Sequence, residues 1–561
     1  GKALECVSLV GCSVGKERFF DDVRVIMDML KADLDKGMEN DDPQRDYILQ
    51  AWVRICRCLG KDFVPYLGMV LPPVMAIADQ QLEITLLDEG GEADLAEGWD
   101  EVEVEDRRIA VHTAGMEEKA SAINMLYAYT YRLKEGIIEW VEQILKIVLP
   151  QLKFYLHEGV RIASLNTIPL LLRACVLNVQ KTGQGAANIT ALWTAILTEL
   201  LSAIQDEMAE IQDPDILQAE IECVHECIMY LGDNGLTQEH IAVNINIIEQ
   251  VLNWVHTRRN ARAAELSKIE QGLSARELLE DEERDNLCEA ELAEIVGALC
   301  RWNKQQFLPL FPQLGKVVAQ LLQSKHQSDR HLAVCIFDDV IEHCGSPEMI
   351  VQLFQAFLQQ VIPNIFAENA ALRQAAVYGM GVCAQRGGEA FAPFVKDVIQ
   401  KLLQVINADG SRYGPGAPAT DNAISSVGKM ILYQRQHAGD IPQLVTMYVS
   451  WLPCDKDIVE SAVIHKQLCS MLEDKQLGQI VLGQKGEHTP HLFKIFCEVV
   501  GTEFIDAKGQ NRILAVLDQM KKTLHPDLIN GAISALPADY QNVIRDILTN
   551  LANYQRQDEE E

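Results

Sequence analysis

Apolar residues recur along this chain at the three- and four-residue spacing of one helix face, in stretches of about 12 to 20 residues separated by short polar, Gly- or Pro-bearing joints. Strand signals are almost absent. Many stretches fall into pairs. The first helix of a pair often carries an apolar–Pro step: Pro72 in "VLPPVMAIAD", Pro150 in "IVLPQLKFYL" and Pro363 in "QVIPNIFAEN". The second opens on a basic residue followed by small ones: Lys119 in "EKASAINML", Arg161 in "VRIASLNTI", Arg330 in "DRHLAVCIF" and Arg373 in "LRQAAVYGM".

The pairs recur at a fixed interval. Lys119 and Arg161 are 42 residues apart, as are Asn124 and Asn166, and Arg330 and Arg373 are 43 apart. Two helices per unit at a period in the low forties predict an all-α fold, a right-handed superhelical solenoid of HEAT repeats. The expected organisation is a single continuous array over residues 1–561, of about a dozen repeats beginning mid-repeat, because "GKALECVSLVG" resembles the second half of a helical hairpin already under way. On that ground the chain is expected to be a fragment of something longer. A Pro within the first helix is expected to bend it. Arg161, Arg330 and Arg373, recurring once per repeat, predict a structural ladder to neighbouring carboxylates.

Several segments break the pattern. Residues 83–109 hold eleven acidic residues against two basic ones, an acidic insertion between the helices of one pair. Residues 258–291 are a charged helical insertion, 408–420 a Gly/Pro loop and 551–561 an acidic tail. The first three are expected to be mobile or solvated.

Charge narrows the partners. The formal net charge is −32, which disfavours nucleic-acid phosphates and anionic lipid and attracts basic proteins. No run of about 18 uncharged apolar residues marks a membrane span. The fifteen cysteines, an odd number at apolar helical positions such as Cys175, Cys335 and Cys383, fit a reducing compartment.

Motifs of chemistry fail on context. "RQAAVYGMGVCAQ" contains a G-x-G-x-x-A string, but Gly379 and Gly381 fall inside a second helix with no strand before them, so they serve close helix packing and not a dinucleotide. "GCSVGKE" lacks the spacing of a phosphate loop. In "CVHEC", Cys223 and Cys227 share a helix face while His225 lies about 200° around, so the cysteines are a packed pair and not a metal site. No catalytic, metal or cofactor residue is assigned, and an enzyme is not expected.

Surface remains. Solvent-facing residues on second helices are the candidates for holding a partner: Glu222 and Glu226, one turn apart; Asp338, Asp339 and Glu342 in "CIFDDVIEHC"; Trp302; Tyr127 and Tyr131; Tyr378. Carboxylates a turn apart form a negative strip that can pair with Lys or Arg of an extended peptide, while aromatics cover the aliphatic stems. Taken singly, each reads first as a solvated helix face or ordinary core.

With "LKFYLHEGVRIA", "CIFDDVIEHC", "RQAAVYGMGVCAQ" and "SWLP" in view, the chain resembles the karyopherin-β (importin-β) superfamily, most nearly its importin-β3 type, over essentially its whole length and as the C-terminal half of such a receptor. The resemblance implies a nuclear import receptor that shuttles between cytoplasm and nucleus. It would bind basic localisation signals on an inner surface lined by second helices, contact Phe-Gly nucleoporins, and release cargo on binding Ran-GTP, whose main site lies in N-terminal repeats. Acidic insertions in this family lie near Ran or cargo, which makes Asp100, Glu101, Glu103 and Glu105 candidate contacts. Two alternatives share the fold: a structural HEAT scaffold of the phosphatase or chromosome-organising type, and an export receptor.

Overall fold

The computed structural model describes residues 2–34, 43–81, 84–86, 99–104, 107–233, 235–266 and 273–556. The chain divides into two units, Gly1–Phe307 and Leu308–Glu561. In the first, six second helices pack each against the next: Lys2–Val14, Pro43–Leu59, Thr113–Leu133, Glu158–Thr182, Pro214–Leu231 and Leu273–Trp302. First helices, among them Leu67–Ala78, Val141–Val148, Ala186–Asp206 and Gln238–Leu266, form a layer behind that row. The second unit repeats the arrangement with Gln327–Asp339, Ala370–Arg386, Ala417–Tyr433, Ile458–Glu473 and Ala507–Thr523 as its row. Both units are stacks of HEAT-type helix pairs.

Local sequence starts these helices where they start. The side chains of His157, Asp213, Asn369, Asp457 and Asp506 each accept a first-turn backbone N–H, satisfying donors that have no partner inside the helix. The prolines act differently from the expected bend. Pro72 and Pro73 do lie inside Leu67–Ala78, but Pro150 opens the 3-10 turn Pro150–Lys153, and Pro363 lies in the 3-10 turn Ile362–Phe366. A ring without an N–H cannot continue the α ladder, so there the first helix tightens into its last turn. Two segments, Glu158–Thr182 and Pro347–Phe366, are long and apolar enough to cross a membrane. The former is packed between second helices on both sides and holds a buried arginine, the mark of a core helix.

The recurring basic residues form a ladder, but mostly to carbonyls. Lys119 Nζ donates to Gln80 O at 3.1 Å, Arg161 Nε to Leu152 O at 2.9 Å, Arg330 Nη1 to Ser324 O at 2.7 Å, and Arg373 Nη1 to Ala367 O. Each target is a carbonyl at or just past the end of the first helix. The end of a helix leaves carbonyls unpaired and carries partial negative charge, so a cation at the start of the next helix ties the two together. Among the described residues only Arg161 of these four also meets the expected carboxylates, Glu207 at 2.6 Å and Glu220 at 3.0 Å.

Gly379 and Gly381 serve packing, as their setting in Ala370–Arg386 requires. A Cβ on Gly379 would lie 1.9 Å from Asp338 Oδ1, and one on Gly381 would lie 2.5 Å from Ser426 Oγ. The missing side chains thus admit both neighbouring second helices to close approach. Gly379→Ala is expected to cost roughly 1–3 kcal/mol in urea unfolding, as overpacking does, and adding Asp338→Ala should recover most of it. A neutral Gly379→Ala would remove the packing explanation.

The irregular segments are more ordered than their composition suggests. Within 83–109 and just beyond it, β1 (Ile84–Leu86), β2 (Trp99–Val104) and β3 (Arg107–His112) form an antiparallel sheet of order β1-β3-β2, with Glu103 opposite Arg108 in register. The acidic count hid the β-branched alternation of "WDEVEV" and "RRIAVH". Residues 258–266 and 273–291 extend two long helices. Some of their charges are buried against each other, with Arg258 Nε to Asp285 at 3.1 Å and Arg259 Nη2 to Glu289 at 2.8 Å, while Arg276, Glu280 and Arg284 stay exposed, so the segment is helical and partly solvated. The loop at 408–420 is anchored where Arg412 reaches Trp451 O at 3.1 Å and Thr420 Oγ1 donates to Ser411 O at 2.6 Å. Of the acidic tail, 557–561 lies outside the described residues.

Candidate functional site

In the first unit the second helices bring distant residues into one polar and aromatic row. Glu222 is exposed and Glu226 half-buried, one turn apart on Pro214–Leu231. The next helix, Leu273–Trp302, sets Glu291 and Glu294 in the same field. Burial first, then the charges of Glu222, Glu294 and Glu226, pushes Glu291 up to about 6. Burial, then Glu222, also raises Glu226. Glu226 and Glu291 are thus each raised by burial and by neighbouring carboxylates, which marks a locally negative strip.

Aromatic rings continue the row on its other side. Tyr230, raised by burial and then by Glu226, lies beneath the Arg173 guanidinium at 5.4 Å. Beyond it, Tyr127 and Tyr131 stack with ring centroids 6.1 Å apart, Tyr131 largely exposed. Thus Glu222, Glu226, Tyr127 and Tyr131 are brought together, and Glu291, Glu294, Arg173 and Tyr230 join them. Sequence periodicity could have flagged Glu291 and Glu294 only with the register between adjacent second helices in hand. Trp302 is not in this row; its half-buried ring packs beside Gly232.

The second unit corrects one assignment and limits three others. Asp338 is buried in the space Gly379 leaves, so it is not a solvent-facing ligand. Burial, then the neighbouring Asp339 and Glu342, holds its carboxyl well above the usual carboxylate range, which favours the uncharged acid. Asp339 and Glu342 are half-buried. Glu342 is already engaged, for Tyr378 Oη donates to its Oε2 at 2.7 Å. The Lys429 ammonium stands 4.7 Å over the Tyr378 ring and 3.3 Å from Glu460. Glu342 and Tyr378 are therefore paired with each other, Asp339 lies 3.9 Å from His343 Nε2, and Asp338 is buried beside them. In "CVHEC", Cys223 and Cys227 are buried with their thiols hydrogen-bonded to each other, and burial pushes the Cys223 thiol up.

Comparison with known proteins places this architecture. The model of the "Importin repeat 6" family matches residues 216–324. Importin subunit beta-3 of Saccharomyces cerevisiae is 30% identical over 481 residues, covering 84% of this chain and 42% of its own length. A probable importin-5 homolog of Dictyostelium discoideum is 28% identical, covering 84% of this chain and 43% of its own. This chain belongs to the karyopherin-β (importin-β) family. It spans less than half the length of these relatives. Crystal structures of Kap121p share the fold, with a TM-score of 0.76, 24% identity and coverage of 97% of this chain and 48% of that one. Kap121p has also been crystallised bound to RanGTP, to Nup53p and to Pho4p.

Two features that karyopherin membership makes relevant can now be located. Asp100, Glu101 and Glu103 stand on β2, and Glu105 lies outside the described residues. On the first-helix side, a groove of about 860 Å³ runs between Val141–Val148 and Ala186–Asp206. Its apolar wall comes from Val141, Leu145, Leu149, Ala191 and Leu192, with Cys175 of the second helix also lining it.

Proposed function

We propose that this karyopherin-β chain acts in nuclear import, holding basic proteins on its second-helix row and shuttling between cytoplasm and nucleus. The observation that carries the reading is the set of four glutamates beside stacked tyrosines on consecutive second helices. Such a row offers charge-assisted pairing to Lys and Arg heads and flat apolar rings to their stems. The work is binding and release. Kap121p bound to RanGTP, Nup53p and Pho4p supports extending the same three partner classes to this protein: Ran-GTP, nucleoporins and basic cargo.

The test uses the receptor purified at its natural length and an immobilised Lys/Arg-rich localisation peptide. Capture by the peptide, with release when Ran loaded with GTP is added, is the expected outcome. Ran-GTP that strengthens capture would identify an export receptor, and indifference to Ran would favour a scaffold.

The first-helix groove is the proposed seat of Phe side chains from Phe-Gly nucleoporins, since its walls are apolar and open. Leu149→Asp with Leu192→Asp, both half-buried in the groove wall, should weaken binding of a Phe-Gly peptide by roughly tenfold, about the worth of losing one buried aromatic contact, while leaving basic-peptide binding intact. Equal Phe-Gly affinity in the variant would exclude this groove.

A further inference from the structure

A polar pocket of about 520 Å³ lies at the C-terminal end of Leu273–Trp302, lined by Asp233, Arg301, Trp302, Asn303, Lys304 and Gln306. All six belong to the first unit. In a chain of net charge −32, two cations here face one carboxylate. Arg301 and Lys304 are exposed, and neither is held in an ion pair among the described residues.

Two further residues lining this pocket carry donors with nothing to donate to. Asn303 is only 7% exposed, and its Nδ2 has no acceptor. The indole Nε1 of Trp302 is likewise buried and unpartnered. Neither residue is loose. Asn303 donates its backbone N–H to Leu299 O at 2.9 Å, and its carbonyl accepts from Gln306 and Phe307 at 3.0 and 2.9 Å. The Trp302 ring is packed where a Cβ on Gly232 would touch it at 3.9 Å.

Buried donors without acceptors are uncommon in native proteins, because their lost hydration is uncompensated. Two neutral donors and two cations without an ion pair among the described residues, lining one pocket, are complemented by an acceptor that carries negative charge. The space is far larger than a bare ion, so the group arrives attached to a chain. We propose that this pocket binds an oxyanion, a carboxylate or phosphate, on a side chain of a partner protein. Arg301 and Lys304 supply the attraction, Trp302 and Asn303 fix the oxygens, and Asp233 disfavours further negative charge beside the bound group.

The test follows the indole N–H resonance of Trp302 in the ¹⁵N-labelled chain, identified by its loss in Trp302→Phe. The probes are inorganic phosphate and blocked pentapeptides Gly-Gly-X-Gly-Gly with X as Glu, phosphoserine, Gln or Ser. Phosphate and the Glu and phosphoserine peptides should move the resonance saturably, and whichever of the two peptides binds more tightly identifies the oxyanion. The Arg301→Gln/Lys304→Gln variant, altered only at exposed positions, should bind at least tenfold more weakly. The proposal is overturned if no anion moves the resonance, if the Gln or Ser peptide or potassium chloride at equal ionic strength moves it as far, or if the variant binds unchanged.

Discussion

Arg161→Ala is expected to remove about 3–5 kcal/mol of stability from the first unit, the cost of leaving buried charge unpaired. The Arg161 side chain is 4% exposed and bonds two carboxylates, Glu207 and Glu220, whose side chains are fully buried. Its Nε also holds Leu152 O, so one guanidinium on the second helix Glu158–Thr182 joins the ends of two first helices, at Leu152 and Glu207, to the next second helix at Glu220. Burial pushes Glu220 up to about 8 even though Arg161 pulls it down. Without the arginine that carboxyl is expected to hold its proton to still higher pH. Because the folded state then holds protons that the unfolded chain releases, the variant should regain stability as pH falls from 8 towards 5. Glu207→Gln and Glu220→Gln introduced together with Arg161→Met should restore much of the loss, since no charge is then stranded. Urea unfolding measures all of these. A loss below about 1 kcal/mol for Arg161→Ala would mean that the buried triad does not hold the layers together.

Reversing Glu222, Glu226, Glu291 and Glu294 to Lys together is expected to weaken a Lys/Arg-rich peptide by roughly 30-fold or more at low salt, about 2 kcal/mol. The difference should shrink at high ionic strength, as partly exposed pairs are screened. Glu→Gln at the same four positions should give a smaller loss with the same fold. The pH dependence carries its own sign. Glu291, pushed up to about 6, holds a proton in the free protein at lower pH and must give it up to pair with a cation. Peptide affinity should therefore fall as pH drops from 7 to 5, while the free first unit gains stability over the same interval. Affinity that is flat with pH and unchanged in the reversed variant would detach basic-peptide binding from this row.

The repeat was legible because it is written locally and often. A basic residue followed by small ones, 42 or 43 residues apart, reports a helix start that each layer needs. Gly379 and Gly381 were legible as packing residues for the same reason, since no strand stood before them. What failed depends on distant register. Asp338 and Asp339 are neighbours in sequence, yet only Asp338 falls over the hole at Gly379, on another helix. Glu291 joins Glu222 only after the two second helices are aligned. The strand Trp99–Val104 was obscured by its charge, and Arg259 and Arg262 look solvated until Glu289 and Asp285 are seen opposite them.

The most direct measurement of the central claim is photo-crosslinking from a basic localisation peptide, with a benzophenone at each position in turn and the attachment sites mapped by mass spectrometry. Crosslinks should concentrate on Thr113–Leu133, Pro214–Leu231 and Leu273–Trp302, near Tyr131, Glu222 and Glu294, and be lost at high salt. Crosslinks confined to the first-helix side, around Val141–Val148 and Ala186–Asp206, would contradict the account.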